Sequence, residues 1–279
     1  LSSVPLWFLA QMAAEQVTVV LSGEGADEIF GGYAWYEDNP SVAKYKRMVP
    51  FGVRRALGKA AKHMPYFKGH NFLMKGAEMA EEYFVGQALV WPEREVSSVL
   101  RPEYDKGEGA FELAAPIYAR VSDKSELIRK QYLDMNMWLP GDILLKAAKM
   151  CMAHSLELRV PFLDRRVMEF AEHIPDRYRV NENGNKLVLR HAANKSLPDE
   201  WATRPKVGFP VPMIYWLREE KWYNWVKEYF TAPWASEFFD CDVLMGLLDE
   251  HYEGKAQNQR KIYTPLVFLI WYKRYFIDE

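Results

Sequence analysis

From Val17 to Leu21 the chain runs through five apolar or β-branched residues, VTVVL, and then breaks at Ser22-Gly23. A short unbroken apolar run ended by a turn signal predicts one buried strand. Almost everything else carries helical spacing. A first helix is predicted with Ser2 or Ser3 as its cap, Pro5 in its first turn, and Leu6, Leu9 and Met12-Ala13 as its buried stripe. Further helical stretches are predicted over Pro40 to His63, over Phe72 to Leu100 with a break at Pro92, and over Phe111 to Val121 and Ser125 to Trp138. Pro140-Gly141 predicts a turn, after which Asp142 caps a helix over Ile143 to Ala153. Asp164 caps another over Arg165 to His173, Lys186 to Ser196 follows a turn at Asn181 to Asn185, and three aromatic-rich helices cover Trp216 to Phe230, Val243 to Tyr252 and Gln259 to Phe276. The pattern is one strand and about ten helices, with no repeat and no clear linker.

Composition narrows the class. The chain has 279 residues, 49% of them hydrophobic and 15% aromatic, so it can bury a substantial core. A net charge of −2 gives no global field that would draw nucleic acid or an acidic membrane. The lysines and arginines from Lys44 to Lys62 have no acid among them and are read as a solvated helical face. Cys151 and Cys241 are far apart and without metal spacing, which fits free thiols in a reducing cytoplasm. The longest apolar run, Tyr263 to Tyr272, is interrupted by Pro265 and is about half the length a membrane span needs, so a buried helix is expected there.

The chemistry is concentrated just after the strand. Glu24, Asp27 and Glu28 place three carboxylates within five residues, among Gly23, Gly25, Gly31 and Gly32. In an open α/β sheet the carboxyl ends of strands are where ligands bind. Gly23 and Gly25 let the backbone approach a ligand or adopt positive φ, and Gly31-Gly32 lets the chain turn away. These residues suggest a nucleotide or Mg²⁺ site. They also fit an acidic helix N-terminus that serves only the dipole, and spacing alone leaves both open.

Four segments together resemble the asparagine synthetase family, in its ATP-using synthetase domain. They are SGEGADEIFGGY (22–33), MWLPGDILLKAAKMCMAHSLELRVPFLD (137–164), GNKLVLRHAA (184–193) and RPKVGFP (204–210). The resemblance covers nearly the whole chain. It implies an α/β fold of the adenine nucleotide alpha hydrolase type, with a PP-loop ATP pyrophosphatase sheet, of which this chain would be the C-terminal, mainly helical part with one or few strands. The family's upstream SGGxDS loop and its N-terminal glutaminase domain are expected to lie outside residues 1–279, and the chain alone is expected to be inactive.

The resemblance implies ATP and Mg²⁺, aspartate as the acyl donor, and ammonia released from glutamine elsewhere in the parent. Ser22, Gly23 and Gly25 would contact the nucleotide. Glu24 would take a proton from the attacking ammonia, Asp27 would bind Mg²⁺, and Lys186 would clamp the departing pyrophosphate, with Arg190, Lys206 and Arg204 in support. β-Lactam-forming relatives carry a tyrosine at the place of Glu24, so the glutamate favours an external nucleophile. Glu157 and Arg159 are read as an ion pair. The family usually has an acid where this chain has Ala148, which keeps a different carboxylate substrate in play, and a non-catalytic helical assembly module is the contrasting reading. Neither nucleic acid nor membrane is an expected partner, the expected location is the cytoplasm, and a homodimer is left open.

Overall fold

The computed structural model describes residues 2–37, 39–64, 68–86, 89–205, 208 and 211–278. The chain is mostly helical and divides into two compact units. One comprises Leu1–Pro5, Gln87–Glu112 and Gly208–Glu279; the other comprises Leu6–Gly86 and Leu113–Val207.

The second unit holds the strand. β1 (Val19–Leu21) pairs in parallel with β2 (Glu157–Arg159), with Val20 opposite Leu158. Among the described residues the sheet has these two strands alone. β2 escapes a reading by hydrophobic pattern because Glu157 and Arg159 flank a single leucine; its strand character comes from pairing with β1. Glu157 N–H donates to the Thr18 carbonyl at 2.9 Å, and Ser22 N–H donates to the Arg159 carbonyl at 2.8 Å. The expected ion pair joins Arg159 Nε to Glu157 Oε1 at 2.8 Å, with both side chains exposed.

Two expectations about burial are corrected. β1 is not buried: Val20 is half-covered, while Leu21 is 73% exposed. In a two-stranded sheet one face packs and one edge stays unpaired. The inner face lies on Ala10, Cys151 and Leu156, with Val20 and Leu158 packed against them. The helix Ser3–Ala14 buries Ala10 rather than the predicted stripe, and Leu9 and Met12 are 52% and 67% exposed. A small side chain lets that helix lie close to Cys151, and Trp7 packs edge-on against the His154 ring with centroids 4.4 Å apart.

Pro140-Gly141 does not make a turn between separate helices. Glu126–Asn136 passes through a π-helical stretch, Leu139–Leu144, into Leu145–Met152. The proline falls at the first turn of that stretch, where its missing N–H is tolerated. Asp142 therefore lies inside the helical run and does not cap it. The capping reading that held is Asp164, which accepts from Arg166 N–H; the structure adds Ser125, whose hydroxyl accepts from Ile128 N–H. The basic stretch forms two helices, Pro40–Met48 and Phe51–Lys62, and is less solvated than expected. Lys46 pairs with Glu126 at 2.8 Å, Arg55 with Glu82, and Arg54 donates to the carbonyls of Val49 and Gly76.

The first unit packs the helices Glu93–Val99, Glu220–Phe230, Cys241–Tyr252 and Gln259–Tyr272 around Val226, Phe230, Leu244, Leu248, Ile262 and Leu269. The last of these is the buried helix expected over the longest apolar run. No helix among the described residues is long and apolar enough to cross a membrane. Cys151 and Cys241 are free thiols.

Candidate active site

The carboxyl end of β1 leads into a tight turn. Gly25 sits in the left-handed region at φ 87° and caps the five-residue helix Ala26–Phe30. A side chain there would overlap Leu163, so both the backbone angle and the packing call for glycine. Gly31 closes the same helix at φ 75°. This short helix cannot hold itself by propensity. It is held by Ala26, Ile29 and Phe30, which pack on Ala171 and Ile174, with Phe162, Leu163, Val188 and Leu189 around them. Arg179, itself buried, donates from its guanidinium to the carbonyls of Ile29, Ile174 and Ala171. Gln131 donates to the carbonyls of Glu28 and Ile29 at 2.6 and 3.1 Å. The backbone of the acidic turn is thus fixed from below by buried polar groups.

The three acids part company. Asp27 forms an ion pair with Lys186, Oδ1 to Nζ, at 2.8 Å, with both side chains half-buried. Lys186 stands before the helix Leu187–Ala193 in the left-handed region, at φ 50°. Glu24 is half-buried, and burial raises its pKa; the Lys146 charge opposes that rise, and Asp27 and Asp142 add to it. Lys146 in turn lies 3.8 Å from Asp142, one helical turn away. Glu28 turns the other way, into the core. It is 1% exposed and accepts a hydrogen bond from the Tyr33 hydroxyl at 2.6 Å. Of the three acids that suggest a ligand site, Glu28 is therefore a core residue.

Beside Glu28 lies a second buried acid that sequence reasoning missed. Asp134 is 0% exposed and accepts at Oδ2 from the Tyr36 hydroxyl, at 2.6 Å, and from Trp35 Nε1, at 3.2 Å. Burial pushes its pKa up to about 6 against those two hydrogen bonds. The aromatic run at Tyr33, Trp35 and Tyr36 could have signalled it, because buried tyrosine and tryptophan seek polar partners.

The remaining candidates are placed as follows. Ser22 Oγ accepts from Glu24 N–H at 3.3 Å, and Gly23 is exposed with open space where a side chain would go. Arg190 donates to the carbonyls of Asn185, Ala202 and Arg204 and so ties the loop after its helix. Arg204 is exposed. Lys206 lies outside the described residues. Ala148 is exposed, while Lys146 and Arg159 have acidic neighbours in Asp142 and Glu157.

The site therefore sets a half-buried glutamate beside a lysine–aspartate pair, at the end of a parallel strand. The family model described as asparagine synthase matches residues 1–273. The chain belongs to the asparagine synthase family. "Asparagine synthetase [glutamine-hydrolyzing] 1" of Bacillus subtilis (strain 168) is 38% identical over 284 aligned residues, covering 100% of this chain and 44% of that protein. A "Putative asparagine synthetase [glutamine-hydrolyzing]" of Mycobacterium tuberculosis (strain ATCC 25618 / H37Rv) is 37% identical, covering 96% of this chain and 41% of its own length. The human "Asparagine synthetase [glutamine-hydrolyzing]" is 33% identical over 57% of this chain and 31% of its own length. The chain thus spans less than half the length of these relatives. The match embraces all the residues of the acidic turn, Lys146 and Lys186.

Proposed function

We propose that this chain carries the carboxylate-activating and amidating half of a glutamine-dependent asparagine synthetase. The observation that supports this best is the meeting of Asp27 and Lys186 beside Glu24, at the carboxyl end of β1. In this reading the two strands belong to a larger sheet of the adenine nucleotide alpha hydrolase type. ATP and aspartate are the substrates. The aspartate side-chain carboxylate attacks the α-phosphorus, pyrophosphate leaves, and a β-aspartyl-AMP results.

Lys186 draws the leaving pyrophosphate by charge, since phosphoryl and adenylyl transfer depends chiefly on positioning and cationic stabilisation. Ammonia then attacks the acyl carbon. Glu24 accepts a proton from the resulting ammonium, and AMP departs with the bonding electrons. A carboxylate raised by burial is a better base than a solvated one, and the Lys146 charge opposes that rise. Ser22 and Gly23 border the nucleotide, and Arg190 shapes the loop that follows Lys186.

The residues fit Mg²⁺ in one manner only. Among the described residues no group of three His, Cys, Asp or Glu side chains gathers as a metal cage. One carboxylate, Asp27, with phosphate oxygens completing the shell, suits an ion that keeps few protein ligands. When bound there, the ion would neutralise phosphate charge.

The test uses the full-length protein with ATP, Mg²⁺, aspartate and ammonium, following pyrophosphate and asparagine together. Both are expected to appear, and Glu24→Ala is expected to lose asparagine. Pyrophosphate release with some other carboxylic acid, but not with aspartate, would refute the substrate.

A further inference from the structure

Gly31 and Gly32 stand together, but only Gly31 has a backbone that asks for glycine. Gly32 has another reason. A side chain on its Cα would overlap Asp27 Oδ1 and Lys186 Cε. Its bare Cα is the space in which the two charges meet, and its N–H donates to the Asp27 carbonyl at 2.7 Å. Lys186 reaches that space from a left-handed backbone, a conformation that residues with side chains adopt only when their surroundings impose it. Leu187 N–H on the Arg179 carbonyl, at 3.2 Å, and Arg190 N–H on the Lys186 carbonyl, at 2.9 Å, hold the segment there.

We propose that Gly32 is a positioning residue that allows Asp27 and Lys186 to close on each other as a latch, which opens by exchange of partners. A divalent cation takes the Asp27 carboxylate while a polyphosphate takes the Lys186 ammonium. This rests on the reading of the site given above.

The consequence is energetic coupling between two ligands. A cation arriving alone must displace Lys186 and leave a half-buried ammonium without its counter-charge. A polyphosphate arriving alone must take Lys186 and give up the attraction between that ammonium and the Asp27 carboxylate. Each penalty disappears when both arrive, so each ligand strengthens the other by the same factor. The half-burial of both side chains matters, because a fully solvated pair would be screened and would contribute little.

The test is made on the full-length protein with Mn²⁺ as a paramagnetic probe and no nucleotide. Lys186→Met and Gly32→Ala are each expected to tighten Mn²⁺ binding by about tenfold, equivalent to about 1.4 kcal/mol. The gain should vanish in Lys186→Met combined with Asp27→Asn, which assigns it to this site. Asp27→Asn alone should tighten metal-free tripolyphosphate by a similar factor. A merely structural role for Gly32 predicts weaker binding, never tighter. Should Gly32→Ala fail to fold, the Lys186→Met and Asp27→Asn measurements decide. Unchanged or weaker Mn²⁺ binding in Lys186→Met overturns the latch. Calorimetry of wild-type protein with MgATP judges the nucleotide reading separately: no MgATP binding, with Mn²⁺ still tightened in Lys186→Met, would sink that reading and leave the latch standing.

Discussion

Replacing Asp134 by asparagine should change how stability depends on pH, and the structure gives the size. An ordinary aspartate titrates near 3.8, whereas Asp134, fully enclosed, titrates near 6. That difference corresponds to about 3 kcal/mol between the two protonation states. The folded protein holds the proton more tightly than the unfolded chain, so the associated stability is fully present below about pH 3.8. It is lost as pH rises through about 6. Oδ2 takes both donors, from Tyr36 and Trp35, while Oδ1 has no hydrogen-bond partner among the described residues. A proton on Oδ1 therefore leaves both bonds intact, and the asparagine amide group imitates that protonated form at every pH. Wild type and Asp134→Asn should match most closely near pH 4. The variant should gain on wild type by up to about 3 kcal/mol by pH 8. Glu28, raised by burial and in part by the Asp134 charge, will carry a share of the change. Urea unfolding at several pH values, read by fluorescence and by circular dichroism, gives the difference where the two transitions coincide. A wild-type-to-variant difference that stays constant from pH 5 to pH 8 would refute the reasoning.

Two further outcomes follow from packing and charge. Gly25→Ala must hold a side chain at φ 87° and overlap Leu163, so it should lose about 2–3 kcal/mol in thermal unfolding, and trimming Leu163 to alanine should recover only the steric part. Glu126 accepts from Lys46 and Tyr83, and the charges of Lys130 and Lys46 together with these bonds overcome its burial and hold its pKa down to about 2. Its contribution is present above the ordinary glutamate range and lost as pH falls toward 2; Glu126→Gln should therefore destabilise at pH 7 by about 1–3 kcal/mol, with the deficit shrinking in acid.

Local signals were legible wherever one residue does one local job. Asp164 caps because its short side chain reaches an amide two residues on, and that geometry is independent of the rest of the fold. The acidic turn was legible because glycines and carboxylates after an apolar run have few other uses. What escaped depends on distant partners. β2 exists because β1 lies beside it, across more than a hundred residues of chain. Glu28 lies within the five-residue helix and Glu24 in the turn before it, and the Tyr33 hydroxyl makes the burial of Glu28 tolerable. Leu9 and Met12 have helical spacing, yet the face that packs is chosen by how closely Ala10 can approach Cys151.

The π-helical stretch Leu139–Leu144 acts as a phase shift written into the chain. A π turn contains one residue more than the α turn it replaces, so all that follows is rotated by about 100°. That rotation turns Lys146 toward Glu24 and, on the same helix, Cys151 toward Ala10 and Leu156. Deleting Gly141 would restore an ordinary helix and swing both away together. The electrostatic setting of Glu24 and the packing beneath the strands are thus set by a single count of residues, and neither can be re-tuned in length without the other.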